Sequence, residues 1–409
     1  MTDSPLPIRD GLPQDFAPAL DLLHAAFHNN PDPDLTEIER GVYEPARSLA
    51  VVDDGRIVGH AGAYTRELTV PGAVVPAAHV TMVAVAATHR RRGLLTRLMR
   101  RQLRQVRDQG REPIAVLWAS EGRIYPRFGY GLAAERLIFD IDLRELRLPA
   151  DAGDARLRSG DPDELRPEMA TVYERLRPGR PGWSSRDDRW WRNVLADPPA
   201  RRESQTALRA VLHDGPGGVD GYALWRSRGG WDTRGPKAHV QVIEVAATEP
   251  PAYLALWRFL TTIDLSRSVG YSFGAVDEPL IQLVDEPRQL GATLADSLWV
   301  RLVDVAAALE ARRYAAAVDL VIDVTDPLVP ENTGRWRLTG DRERARCVPS
   351  TEPSDLACDV RDLGAVYLGG SSLRSLADAG LIRELRHGAV AEATIAFGWD
   401  RSPAGVEIF

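Results

Sequence analysis

The residues best suited to chemistry stand together at Arg90, Arg91, Arg92 and Gly93. They follow the apolar run VTMVAVAA and open the stretch LLTRLMRRQLRQVRDQG. In that stretch Leu95, Leu98, Met99, Leu103 and Val106 recur at helical spacing, Arg97, Arg100, Arg104, Arg107 and Arg111 gather on another face, and Gly110 offers a C-cap. Strand, basic glycine-containing loop and helix therefore follow one another directly. A helix start carries backbone N–H groups without intrahelical partners together with the positive end of the dipole, and glycine lets the backbone approach a ligand closely. With three guanidinium groups added, the loop fits an anion, and a pyrophosphate would sit well there.

The plain alternative is that these residues merely open a solvated amphipathic helix. An internal repeat decides against it. The segment HVTMVAVAAT at 79–88 recurs as HVQVIEVAAT at 239–248, the two sharing HV at the start and VAAT at the end. Apolar runs broken by an Asp-Gly turn precede each copy, AVVDDGRIVGH from Ala50 and AVLHDGPGGVDGY from Ala210. Both predict a strand, a tight hairpin, a second strand and then a longer apolar strand. Where the first copy has arginines and glycine, the second reads Glu249, Pro250, Pro251. Prolines have no N–H to donate, and a glutamate repels phosphate. The strand is kept in both copies and the anion loop in one, so the loop serves chemistry in the first domain.

The elements around this loop predict a mixed α+β chain of three domains. The polar stretch LPADAGDARLRSGDPDE, roughly 148–164, reads as a linker and separates domain 1–150 from domain 151–296. Residues 297–409 do not repeat the pattern. They read as a strand LWVRLVDV, a helix AAALEARRYA, an alternating strand VDLVIDV, then GRWRLT and GAVYLGG, a helix SSLRSLADAGLI and a last strand EATIAF. A separate α+β domain is expected there.

Composition sets the outer bounds. A chain of 409 residues is too long for one compact core, and 44% apolar with 27% charged residues excludes a mostly disordered one. With 51 Lys and Arg against 58 Asp and Glu, the formal charge of −7 runs opposite to what a nucleic-acid binder needs and suits cationic substrates. Cys347 and Cys358 lie eleven residues apart without metal-ligand spacing, so reduced thiols and no metal site are expected. The N-terminal MTDSPLPIRDGLPQDF lacks the basic and apolar regions of a signal peptide, and no run of about 18 apolar residues occurs, which makes the cytoplasm the expected location and excludes a membrane partner. Trp183, Trp190 and Trp191 are expected in a core or a subunit interface.

The strand VTMVAV followed by Arg90-x-x-Gly93-x-Leu95 resembles the acetyl-CoA motif of the GNAT superfamily of N-acyltransferases, usually Q/R-x-x-G-x-G/A, from which Leu95 departs. The segment SEGRIYPRFGYG, residues 120–131, resembles the second signature of that superfamily. Together with the tandem repeat and the third domain, these features resemble the enhanced intracellular survival (Eis) family of acetyltransferases along essentially the whole chain. The resemblance implies tandem GNAT-like domains, the second without the phosphate loop, followed by a sterol-carrier-like domain that supplies the chain end.

It also implies roles. The backbone of Val83, Ala84 and Val85 would hold the pantetheine arm of acetyl-CoA, Arg91, Arg92, Gly93, Leu94, Leu95 and Thr96 the pyrophosphate, and Ser120 with Glu121 would complete the groove. Tyr125 matches the general acid that protonates the departing thiolate. With ordinary pKa values of about 10 for tyrosine and about 8.5 for a thiol, that transfer is mildly uphill and works best as sulfur charge develops. The C-terminal carboxylate of Phe409 matches the general base, with the strand-like GVEIF ending built to dock. At an ordinary pKa of about 3.5 it needs desolvation or a bridging water to serve. For the acceptor pocket, Phe27, His28, Asp32, Trp399, Asp400 and Glu407 are candidates.

An acetyl-CoA-dependent N-acetyltransferase acting on aminoglycoside-like or polyamine amines, homo-oligomeric and hexameric by resemblance, is the leading expectation. A protein lysine acetyltransferase is open beside it. The reading from another class, a non-catalytic lipid or ligand carrier with a vestigial first domain, is opposed by the retention of RRRGLL and Tyr125 in one repeat.

Overall fold

A computed structural model describes residues 6–149 and 156–409. Part of the expected linker, 150–155, lies outside the described residues. The chain forms two units. The first takes residues up to Ala134 with Ser297–Asp400 and Ile408–Phe409, and the second takes Glu135–Asp296 with Arg401–Glu407.

In the first unit, β1 (Ile8–Asp10), β2 (Leu49–Asp53), β3 (Arg56–Val70), β4 (Ala73–Val85) and β5 (Ile114–Trp118) lie side by side, followed by Leu298–Leu302 and Gly131–Leu132. The Asp-Gly signal at Asp54 and Gly55 makes the β2–β3 turn, both residues having positive φ, 45° and 76°, as a tight hairpin requires. The strands β1 to β4 are antiparallel neighbours, and β5 joins β4 in parallel after the crossover helix α3 (Leu94–Gln109). Helices α1 (Phe16–Phe27) and α2 (Pro33–Val42) precede the hairpins, and α1 packs on β3 and β4. The apolar face of α3 is buried as its spacing predicts, through Leu98, Met99, Leu103 and Val106, and Gly110 caps its end at φ 61°.

Residues 297–400 belong to the first unit, and their first strand does not stay with the domain expected at 297–409. The strand Leu298–Leu302 pairs with β5, Leu298 opposite Trp118, and so belongs to the first sheet. A five-stranded sheet formed by Ala345–Pro349, Gly334–Gly340, Val318–Thr325, Leu356–Asp359 and Arg383–Glu384 shares one core with that sheet, Leu68, Ala77, Ile114 and Val116 meeting Leu302, Val324 and Val366. The segment EATIAF is helix, not strand. It ends the helix Ala389–Phe397, where Val390, Ala393 and Phe397 are buried at helical spacing and Ile395, on which the alternation depended, is 64% exposed. The ending GVEIF enters no strand ladder among the described residues.

The second unit has its own seven-stranded sheet, in the order Thr293–Asp296, Glu135–Asp142, Ser266–Gly274, Ala238–Ala247, Gly218–Arg228, Arg209–Gly215, Leu157–Gly160. The chain thus changes sheets at Ala134 and Glu135, upstream of the boundary expected at 150, because Phe139 and Ile141 bury against Trp257 and Tyr271 in this unit's core. The second hairpin forms as expected, with its turn at Pro216 and Gly217, just past the Asp-Gly pair. Trp183, Trp190 and Trp191 serve the core of this unit: Trp190 and Trp191 are buried, and Trp183 stacks on Tyr173 at 4.8 Å. The two cysteines are free and buried, and burial pushes the Cys347 thiol up to about 12.

Candidate active site

The site is built on a strand that parts from its neighbour. Parallel pairing of β4 with β5 runs through Ala77, Ala78 and His79, the last opposite Val116, and then stops. From Val80 onward the β5-facing edge of β4 has no ladder partner among the described residues. On the other side β4 keeps β3, with Thr81 opposite Gly62 and Ala84 opposite His60. Met82 and Val83 therefore face a single β3 residue, a bulge that bends the strand. Met82 takes φ 50° there, and its carbonyl accepts a hydrogen bond from His60 Nδ1 at 2.8 Å. Val83, Ala84 and Val85 lie just beyond.

The loop that follows is pinned and then left open. His89 Nε2 meets Asp53 Oδ2 at 2.8 Å. Arg91 and Gly93 take positive φ, 63° and 74°, and Gly93 is the N-cap of α3 without a side-chain cap. A Cβ on Gly93 would meet nothing within 4 Å, so the backbone conformation is what calls for glycine. The first-turn amides of Leu94, Leu95 and Thr96 have no intrahelical partner, as at any helix start. Arg90, Arg91 and Arg92 are exposed. Arg97 and Arg101 are instead tied to the backbone of Leu6 and Ile8. In the second unit the helix Pro250–Thr261 begins on Glu249, Pro250 and Pro251, so the repeat has lost both the donors and the cation.

Ser120 and Glu121 lie exposed on the loop after β5. Tyr125 opens the short turn Tyr125–Phe128, 6% exposed, and burial pushes its hydroxyl up to about 12. Its ring meets Tyr130 edge-on at 5.9 Å. One hydrophobic cluster joins Tyr125 and Leu117 to Val80 and the partly buried Val83, Leu95 and Ile124. The strand, the helix start and the tyrosine are thus held by a common core, which keeps their geometry fixed.

The chain end reaches the place where β4 and β5 part. The Phe409 ring lies 4.6 Å from that of His79, tilted by 59°. His79 is fully buried, its Nδ1 is 3.0 Å from the carbonyl of Ala77, and burial reinforced by Arg66 holds its pKa well below the usual range.

The candidate pocket residues have varied surroundings. Phe27 ends α1 48% exposed, His28 follows at φ 60° as the C-cap, and Asp32 caps α2 by accepting from the amides of Asp34 and Leu35 at 3.0 and 3.1 Å. Trp399 lies under the Arg342 guanidinium at 5.4 Å, and Asp400 is exposed. Glu407, in the second unit, is committed to an ion pair at 2.9 Å with the buried Arg186, which also holds Glu244 at 2.6 Å. The sequence reading missed His60 and Met82, which sit in strands with nothing in their spacing to single them out, and met His79 only as a position the repeat shares with His239.

Comparisons with known proteins agree with this arrangement. Residues 7–133 and 182–302 each match the family described as Acetyltransferase (GNAT) domain, and residues 305–404 match the Sterol carrier protein domain. An uncharacterized N-acetyltransferase of Streptomyces avermitilis is 48% identical over 364 residues, 88% of this chain and 89% of the relative. The N-acetyltransferase Eis of Mycobacterium tuberculosis is 37% identical over 354 residues, 83% of this chain and 84% of the relative. This chain belongs to the Eis family of GNAT N-acetyltransferases. A crystal structure of an Eis protein from Mycobacterium abscessus superposes with a TM-score of 0.83 at 33% identity, covering 98% of this chain and 100% of that one. The Eis architecture of two GNAT domains and a sterol-carrier-like domain is therefore the one seen here, and this chain is an acetyltransferase of the class that takes acetyl-CoA as donor. No described helix is long and apolar enough to cross a membrane.

Proposed function

We propose that this Eis-family enzyme acetylates an amine of a polycationic small molecule of the aminoglycoside or polyamine type. The observation that carries the assignment of the site is the contrast between the repeats: an anion-ready loop at Arg90–Gly93 beside Tyr125, against Glu249, Pro250 and Pro251 in the second copy. Bound acetyl-CoA supplies the activated acetyl group and a thiolate leaving group. The open Gly93 cap, the amides of Leu94, Leu95 and Thr96, and the guanidinium groups of Arg91 and Arg92 suit its pyrophosphate. The β5-facing edge of Val83–Val85, without a ladder partner among the described residues, suits the pantetheine amides, and the exposed Ser120 and Glu121 on the loop after β5 suit the completion of the groove.

Tyr125 holds a proton at its hydroxyl for the leaving sulfur. With its pKa pushed up to about 12, it stays protonated at neutral pH and releases the proton as sulfur charge develops. The α-carboxylate of Phe409 takes the proton of the attacking amine, and the His79 contact supports this role by fixing the last side chain. A substrate cation is favoured by the formal charge of −7.

Thiol release from acetyl-CoA across a panel of aminoglycosides, polyamines and lysine peptides tests the assignment. Turnover with the small polycations supports it, turnover with lysine peptides alone replaces it by a protein acetyltransferase, and no turnover with no acetyl-CoA binding favours a carrier.

A further inference from the structure

We propose that His60 is a positioning residue for acetyl-CoA, acting through the Met82 carbonyl to hold the β4 bulge in the shape that opens the donor groove. The inference rests on the reading above that acetyl-CoA lies along Val83–Val85.

Three observations combine. His60 is fully buried on β3, directly opposite Ala84. Its Nδ1 is 2.8 Å from the Met82 carbonyl. A carbonyl can only accept, so Nδ1 carries the proton and the ring is the Nδ1–H tautomer. Nε2 is then left as a bare acceptor, and it is buried with no hydrogen-bond partner. Burial depresses the ring's pKa, which agrees with a neutral imidazole committed to this one bond.

The bond falls on the residue that needs it. Met82 has φ 50°, a left-handed conformation that a non-glycine side chain adopts only where its surroundings impose it. If Met82 relaxed to an extended conformation, the two-against-one count between Thr81 and Ala84 would be lost. Val83 and Val85 would then exchange the faces they present, because one residue of slippage turns a strand over. The amides offered to the donor would no longer point into the gap between β4 and β5. The ring of Tyr43 lies 6.2 Å from that of His60, tilted by 35°, so the imidazole also has an aromatic neighbour.

An ordinary core histidine would affect stability alone, whereas a positioning residue affects donor affinity. The test is calorimetric acetyl-CoA binding and steady-state kinetics on His60→Asn, His60→Gln, His60→Leu and His60→Leu with Met82→Gly, at a temperature well below each melting point. Asparagine places its amide N–H where Nδ1 stands, and glutamine places it at the Nε2 position. Asn should bind acetyl-CoA as the unmodified enzyme does, and Gln and Leu should bind roughly tenfold more weakly, the worth of one buried hydrogen bond, with a raised KM and a kcat within about twofold. Glycine at 82 accepts positive φ freely and should restore affinity in the Leu background. If Leu does not fold, the Asn and Gln pair decides. Equal affinity for Asn and Gln, or a Leu variant that melts lower and binds normally, overturns the inference. An unmodified enzyme that does not bind acetyl-CoA overturns the reading beneath it.

Discussion

The ring of Phe409, the last residue, stands 4.6 Å from the ring of His79, the last residue of β4 to pair with β5. The chain end is therefore not frayed: an aromatic contact of this kind is worth about 0.5–1.5 kcal/mol and holds the terminal residue at the point where the two strands part. Because His79 is kept neutral by burial, the contact does not titrate through the physiological range.

Removing that contact should act on turnover. His79→Ala is expected to lower kcat while acetyl-CoA affinity stays within about twofold, read by steady-state kinetics beside calorimetry. A C-terminal tag should abolish activity and an N-terminal tag should not. Deleting Phe409 shortens the reach by about 3.3–3.6 Å and should be as damaging. Full turnover in the C-terminally tagged enzyme, with an unchanged melting temperature, places the base elsewhere.

Tyr125→Phe should lower kcat by about 10²–10⁴-fold and leave acetyl-CoA binding nearly intact. Burial raises the Tyr125 pKa to about 12, so its proton is retained across the whole working range and no alkaline loss of activity below about pH 10 belongs to it. An alkaline limb near pH 8–9 that disappears in the Phe variant would contradict this.

In the second unit Arg186, fully buried, bridges Glu244 and Glu407 and lies over the ring of Tyr173 at 4.1 Å. Arg186→Met leaves two carboxylates without their cation and should cost about 3–5 kcal/mol in denaturant unfolding. Glu407→Gln keeps a hydrogen-bonding partner and should cost less. Equal stability of Arg186→Met and the unmodified protein would mean that the carboxylates find water when the guanidinium is gone.

The sequence reading succeeded where conformation is local and failed where it depends on pairing. The Asp54–Gly55 turn, the α3 face and the Arg90–Gly93 loop each follow from residues within one or two turns of chain. The partners of Glu135–Asp142 and Leu298–Leu302 are set by strands far away in sequence, so both were placed in the wrong neighbourhood. EATIAF misled because an alternation of so few residues fits a helix equally well once Gly388 starts one, at φ 87°. The bulge at Met82 left no mark at all, since neither glycine nor proline announces it and only the register with His60 and Gly62 reveals it.

The central claim is that the first repeat is the acetyl-CoA site and the second has lost it. Calorimetric titration of the full chain with acetyl-CoA measures this directly. One molecule per chain is predicted, falling to none in Gly93→Glu, which sets a carboxylate and a side chain at φ 74° where the phosphates should lie, with the fold checked by circular dichroism. Two molecules per chain, or one that survives Gly93→Glu undiminished, would contradict the account.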